Sequence, residues 1–310
     1  MKPEEIFLQM IDKERNIYEH SVLFNQCRKN PEAYLHGLAN PYTHADGLSL
    51  QDGAVVCKES GMHFPVSDHV IDFRNRAETS NSAEWERLNT QFLNYHKSLT
   101  VYTLLNSMPI TNYVSMKSGI GELQNQRVVD VGAGTGHVHS SFFRHPESIE
   151  YYLLDPNLRL LHDQFIRLYP KLTQIPMAHM LAYAEHLPFR DGFADVVLSL
   201  SAIDHYNDYP SFFAEAYRIL RPGGKILISS HLDIPAAPQD RGNKVQKWLS
   251  PSFFERASRY LYYKNNRLGK DDHTYHFKNT ELFEKGLEEK GFKICQSEIF
   301  KRYFFVVAEK

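Results

Sequence analysis

Between Val128 and Gly136 the chain reads VVDVGAGTG, a β-branched run with one acid, Asp130, that passes directly into closely spaced glycines. Glycine weakens the interior of an ordered element, so this cluster should serve a tight turn or the close approach of a ligand. The preceding RVVDV is short, bulky and continuous, which predicts a strand buried on both faces.

The chain beyond it repeats the theme. YYLLD (Tyr151 to Asp155), MAHMLAY, DVVLSLS and KILISS read as further strands, and KICQSEIF and RYFFVVAEK as a closing pair. Helical spacing lies between them in HVHSSFFRH, in PNLRLLHDQFIRLY with Pro156 in its first turn, in YPSFFAEAYRIL and in NTELFEKGLEEKGF with a Thr cap. RPGG should break the third of these helices before the fifth strand. Such alternation predicts an α/β fold: a doubly wound, mostly parallel, seven-stranded sheet whose final tight hairpin adds an antiparallel strand. In such sheets ligands sit beyond the carboxyl ends of the strands, where glycines let backbone N–H groups meet a polar group.

The chain has 310 residues, 42% of them apolar, enough for one large domain and an appendage. We divide it into a helical arm (1–36), a small ribbon-like segment (37–76) and the main domain (77–310), which carries an insertion at 231–277. The arm is suited to covering the ribbon-like segment or a partner subunit, as in a homodimer. A net charge of -2 argues against coating nucleic acid. No apolar run approaches membrane-spanning length, and the start lacks a signal-peptide core, so no membrane association is expected. Three scattered cysteines favour a reducing, cytoplasmic setting.

The glycine pattern does not fit a dinucleotide fingerprint, because the third glycine would fall at His137. The pattern is D-x-G-x-G-x-G, from Asp130 to Gly136. With LLDPN, AEHLPF, DGFADVVLS and YRILRPGGKILIS in this order, it resembles the class I S-adenosylmethionine-dependent methyltransferases, over roughly residues 85–310. The resemblance implies S-adenosyl-L-methionine as cofactor. Asp130 and the backbone of Gly132, Ala133, Gly134 and Gly136 would hold its methionine end. Asp155, followed by Pro156, would accept from both ribose hydroxyls; read alone, Asp155 would equally suit a helix cap. Ala184 and Glu185 would border the adenine, and Leu200 and Ser201 would lie near the sulfonium. Tyr183 stands where the family often carries an Asp, which implies altered adenine contacts.

The sulfonium methyl is already activated, so the protein must chiefly align a nucleophile and exclude water. SAIDHYND (Ser201 to Asp208) lies where the family often bears histidines facing the substrate. His205 could take a proton there, with Asp204 orienting it or binding a cationic substrate; both would also suit a loop or helix cap.

Upstream, LANPYTHADGLSLQDGAVVCKESGMHFPVSDHVIDFR resembles the zinc ribbon of some methyltransferases, including certain rRNA guanine methyltransferases. Asn40, Thr43, Cys57 and Ser60 occupy the knuckle places, so a single thiolate remains and no metal is expected, with His44 and His63 poor substitutes.

Two regions could shape the acceptor side. An aromatic-rich pair of helices at 84–105 includes Tyr95 and Tyr102, although most such aromatics belong to cores. Within the insertion, Arg241 to Lys270 holds eight bases against one acid, Glu255, interleaved with aromatics. It would attract an anionic acceptor, if it is not simply a solvated helix face. His231, His273 and His276 could hydrogen-bond a substrate. The expected activity is methyl transfer to oxygen, nitrogen or carbon of a small-molecule acceptor. The alternatives are an RNA base methyltransferase, suggested by the basic stretch, and a non-catalytic cofactor-binding scaffold.

Overall fold

The computed structural model describes residues 31–67, 69–74, 110–134, 142–156, 178–233, 274–300 and 302–310. The arm up to residue 30, the helix read over 157–169, the aromatic pair at 84–105 and the basic stretch lie outside them.

Among the described residues eleven strands form one mixed sheet, where seven were expected. They are β1 (Leu48–Gln51), β2 (Ala54–Cys57), β3 (His63–Ser67), β4 (Val70–Asp72), β5 (Arg127–Val131), β6 (Glu150–Leu154), β7 (Ala178–Leu181), β8 (Ala194–Leu200), β9 (Leu220–His231), β10 (Lys293–Phe300) and β11 (Tyr303–Glu309). Their order is β1-β2-β3-β4-β7-β6-β5-β8-β9-β11-β10. The block from β7 to β10 holds the strands read from the sequence. The additional four come from the ribbon-like segment, whose last strand pairs parallel with β7 through Ile71 opposite Met180 and Asp72 opposite Leu181. From β4 across to β9 the strands run parallel, so their carboxyl ends share one edge. β11 runs antiparallel to β9 and β10, as a tight hairpin requires.

Alternation along each strand divides the core between the two sheet faces. Val129, Val131, Tyr152 and Leu154 pack on one side with Phe212 and Phe213 of α2 (Tyr209–Ile219) and Phe283 and Leu287 of α3 (Glu281–Glu289). Tyr34 and Leu35, in the one-turn helix α1 (Glu32–Leu35), join them. Val128, Tyr151, Leu153 and Leu198 pack on the other side, with Val114 of the helical residues 110–118 and with Phe142 and Phe143. Thr280 occupies the N-cap of α3, but its side chain makes no capping bond; its carbonyl accepts from Phe283 and Glu284 instead.

RPGG ends α2 as expected but lies inside β9. The β8–β9 register passes from Ala194 opposite Leu220 to Val196 opposite Lys225, so residues 221–224 bulge out. The chain end closes that bulge: the Lys310 carbonyl accepts from Gly223 at 2.8 Å and its amide donates to Gly224 at 3.0 Å.

The four knuckle positions meet in a hydrogen-bonded cluster. Asn40 is fully buried and donates through Nδ2 to Ser60 Oγ at 2.9 Å, while its Oδ1 accepts from the amides of Tyr42 (2.9 Å) and Thr43 (3.3 Å). Burial pushes the Cys57 thiol up, but hydrogen bonds from Ser60 and Asn40 outweigh it and lower its pKa. Among the described residues no group of three or more His, Cys, Asp or Glu side chains could hold a metal ion. Asn40→Ala would remove the acceptor of the Tyr42 and Thr43 amides and the donor to Ser60 from a fully buried position. It should cost about 1–3 kcal/mol in unfolding free energy, measured by chemical denaturation, while Thr43→Ala, whose backbone makes the contact, should cost much less.

Candidate functional site

The shared edge gathers the ends of β5, β6, β7 and β8. At the first, the chain turns at Gly132, whose φ of 70° is open to glycine and strained for other residues. Space is closed there as well: a Cβ on Gly132 would lie 2.4 Å from the Ala202 Cβ and 3.0 Å from the Tyr206 hydroxyl. Gly134 also has positive φ (54°) and donates its amide to Asp155 Oδ2 at 2.9 Å. Ala133 donates to the Leu154 carbonyl at 3.0 Å, and Asp155 to that of Met180 at 3.2 Å. The ladder thus continues past the ends of the strands and fixes Asp130, Gly132, Ala133, Gly134, Asp155 and Pro156 around the first two.

Asp130 is buried beneath this turn. It lies on the same sheet face as Val128, and Tyr151 on β6, paired with Val128, donates its hydroxyl to the Asp130 carboxylate. Burial raises the Asp130 pKa to about 7; the Tyr151 bond opposes the shift and the neighbouring charge of Asp155 adds to it. His179 on β7 is also buried, and burial lowers its pKa to about 4.

Tyr206 supports the turn from below and carried no sequence signal beyond being an aromatic after β8. Its hydroxyl donates to the Val131 carbonyl at 2.8 Å, so the Ser199 hydroxyl, 2.9 Å away, must be its donor. Burial raises its pKa well above the ordinary tyrosine value, which keeps that proton in place.

Leu200 and Ser201 end β8. Ser201 adopts φ 56°, uncommon for a residue with a side chain, and is tied by its amide to the Ser229 carbonyl at 2.7 Å. Asp204 and His205 follow in a 3-10 turn (Ile203–His205) at the same edge. Asp204 is buried, and its carbonyl accepts from Thr274 (2.8 Å) and Tyr275 (3.1 Å). Ala184 is buried just beyond β7, while Glu185 braces the loop before α2, its Oε1 accepting from Asn207 (2.8 Å) and Asp208 (3.0 Å). The insertion's far stem therefore reaches the site, since the Tyr275 hydroxyl also donates to the Asn207 carbonyl at 2.7 Å. His231 ends β9 with its ring 3.9 Å from that of Tyr303, and His276 pairs with Asp233 at 3.7 Å. Gly136, Tyr95, Tyr102 and His273 lie outside the described residues.

Arg74 was missed by sequence reasoning. β4 delivers it to the same edge, where it donates to the Pro156 carbonyl at 2.8 Å.

Two kinds of chemistry are supported by this edge: acidic side chains at the ends of adjacent strands to accept hydrogen bonds, and a glycine turn of fixed backbone amides. Comparison with known proteins adds a class. Residues 129–228 match the model of a methyltransferase domain. A ubiquinone/menaquinone biosynthesis C-methyltransferase of Pectobacterium carotovorum subsp. carotovorum is 33% identical over 109 residues, which are 35% of this chain and 43% of that protein. A phthiotriol/phenolphthiotriol dimycocerosates methyltransferase of Mycobacterium ulcerans is 36% identical over 107 residues, 34% of this chain and 38% of that protein. The chain thus spans under half the length of these two relatives. The solved phosphoethanolamine N-methyltransferase 2 of Haemonchus contortus, in complex with S-adenosyl-L-methionine, is 19% identical with a TM-score of 0.41, covering 64% of this chain and 52% of that one. The glycine turn, Asp155 and the loop after β8 all lie inside the stretch that matches a methyltransferase domain.

Gly132→Ala should destabilise the fold by more than about 1–2 kcal/mol in denaturant unfolding, the cost of the left-handed backbone alone, because Ala202 and Tyr206 block its methyl group. The buried acid and histidine give opposing pH dependences. Asp130, raised in the fold, loses stability as pH rises from about 4 through about 7; His179, lowered in the fold, loses it as pH falls from about 6.5 to about 4. Asp130→Asn should therefore gain on the wild type by roughly 1.4 kcal/mol per pH unit between those limits, read from unfolding curves at pH 4.5, 5.5 and 6.5. Parallel curves for the two proteins would refute the assignment.

Proposed function

We propose that the chain binds S-adenosyl-L-methionine at the joined ends of β5 and β6 and transfers its methyl group to a small-molecule acceptor. The observation that carries this reading is the Gly134 amide bound to the Asp155 carboxylate across two adjacent strand ends, inside the segment that matches a methyltransferase domain. When bound, the cofactor supplies an activated methyl on a sulfonium. The chain's residues have the remaining work. Asp130 and the backbone of Gly132, Ala133, Gly134 and Gly136 receive the ammonium and carboxylate end, Asp155 accepts from the ribose hydroxyls, and Ala184 and Glu185 flank the base. Leu200 and Ser201 border the sulfur, with His205 placed to take the acceptor's proton and Asp204 to orient it. The bound sulfonium would supply its own leaving group, so the acceptor's proton is the only one these residues would have to receive.

The small-molecule choice is supported by the two relatives, whose names give ubiquinone/menaquinone biosynthesis and phthiotriol/phenolphthiotriol dimycocerosates. A site in the cytoplasm accords with the cysteine usage. No helix among the described residues is long and apolar enough to cross a membrane. The arm remains the segment we assign to homodimer contact.

Calorimetry with purified protein should show binding of both S-adenosylmethionine and S-adenosylhomocysteine. Asp155→Ala should weaken both by about ten- to a hundredfold, the worth of hydrogen bonds to a charged acceptor. With tritiated cofactor, label should enter a metabolite extract and not bulk RNA. Absence of binding by the wild type, or an Asp155→Ala variant that binds as well as it, would end this reading.

A further inference from the structure

Because β4 runs parallel to β7, its carboxyl end emerges beside the ends of β7 and β6. The Phe73 amide extends the ladder to the Leu181 carbonyl at 2.8 Å, and Arg74 follows. Asp72 holds the Arg74 guanidinium in a fork, with Nε on Oδ1 at 2.8 Å and Nη2 on Oδ2 at 2.6 Å. The Arg74 amide also donates to Asp72 Oδ1, at 3.1 Å. A planar guanidinium gripped along one edge has its other nitrogen fixed in direction. That nitrogen, Nη1, donates to the carbonyl of Pro156 at 2.8 Å, directly after Asp155. The side chain is only 18% exposed, and its charge is felt at both Asp155 and Tyr183.

We propose that Arg74 is a positioning residue of the cofactor site: through the Pro156 carbonyl and its own charge it sets the Asp155 carboxylate for the ribose, so the ribbon-like strands furnish a working part of that site. This inference rests on the methyl-transfer reading above. The Asp155–Pro156 segment is held at two points that no local sequence supplies: Gly134 on the Asp155 carboxylate, and Arg74, 82 residues upstream of Pro156, on the Pro156 carbonyl. A guanidinium fixed on the Pro156 carbonyl fixes the peptide that follows Asp155, and with it the backbone from which the carboxylate projects. Lysine could keep the charge but not the fork, which makes the two contributions separable.

The test is a double-mutant cycle on the full chain, read by calorimetry with S-adenosylhomocysteine and with methylthioadenosine, which lacks the amino-acid end. Arg74→Gln should weaken both ligands by about tenfold, the loss of a hydrogen bond to a charged group. In an Asp155→Ala background the same change should add less than about twofold, because the residue it acts through is gone. Arg74→Lys and Asp72→Asn should fall between wild type and Arg74→Gln, and they carry the test should Arg74→Gln fail to fold. Equal affinity in wild type and both Arg74 variants, or effects that multiply fully across the cycle, would overturn the proposal. Failure of the wild type to bind either ligand would instead strike the methyl-transfer reading on which it rests.

Discussion

The amide of Gly134 reaches the carboxylate of Asp155 only because β5 and β6 are parallel and in register, with Asp130 opposite Leu153 and Val131 opposite Leu154. A slip of one residue would send Asp130 to the opposite sheet face and move the turn away from the second strand end. The pairing of the two strands therefore decides where every polar group of the site falls. Their side chains reinforce it: Val129, Val131, Tyr152 and Leu154 fill one face, and Val128, Tyr151 and Leu153 the other, so either slip would bury the wrong set.

That arrangement has a cost carried in the interior. Asp130 and His179 are buried with pKa values displaced in opposite directions, each opposing its own ionisation. A strand chosen for stability alone would have valine or leucine at Asp130. Keeping an acid there, with the Tyr151 hydroxyl donated to it, gives up stability for a carboxyl group beneath the glycine turn. Ser201, held at positive φ where β8 ends, follows the same pattern: local strain at the strand edge, retained because the β9 backbone over-determines it.

Much of this was legible in the chain itself. The strands behind RVVDV, YYLLD, DVVLSLS and the closing pair are short apolar runs whose type is set by period and β-branching, and α2 follows from its apolar spacing. What could not be read depends on contacts far apart in sequence. Arg74 looks like an ordinary surface base until β4 is placed beside β7. Tyr206 looks like one more core aromatic until its hydroxyl is found on Val131, 75 residues upstream. RPGG reads as a boundary, yet the pairing of Leu220 with Ala194 starts β9 before it and makes it a bulge. Asn40, Thr43 and Ser60 stand out in the sequence only for the thiolates they lack beside Cys57; that an amide could bring these positions together depends on its full burial, which sequence does not give.

The segment after β8 is where these distant contacts converge on chemistry. Residues 204–208 are held from one side by Glu185, which accepts from Asn207 and Asp208, and from below by Tyr206 on the first strand end. From the other side they are held by the far stem of the insertion, through Thr274 and Tyr275 on the Asp204 carbonyl and the Tyr275 hydroxyl on Asn207. Under the proposed reading, a nucleophile seated against His205 would thus rest on backbone located by the same strand ends that are assigned to the cofactor. Alignment of a methyl carbon between sulfur and acceptor tolerates little error, since a displacement of about 1 Å can cost about a hundredfold in rate. Hydrogen bonds from both sides of the loop answer that demand by fixing its main chain.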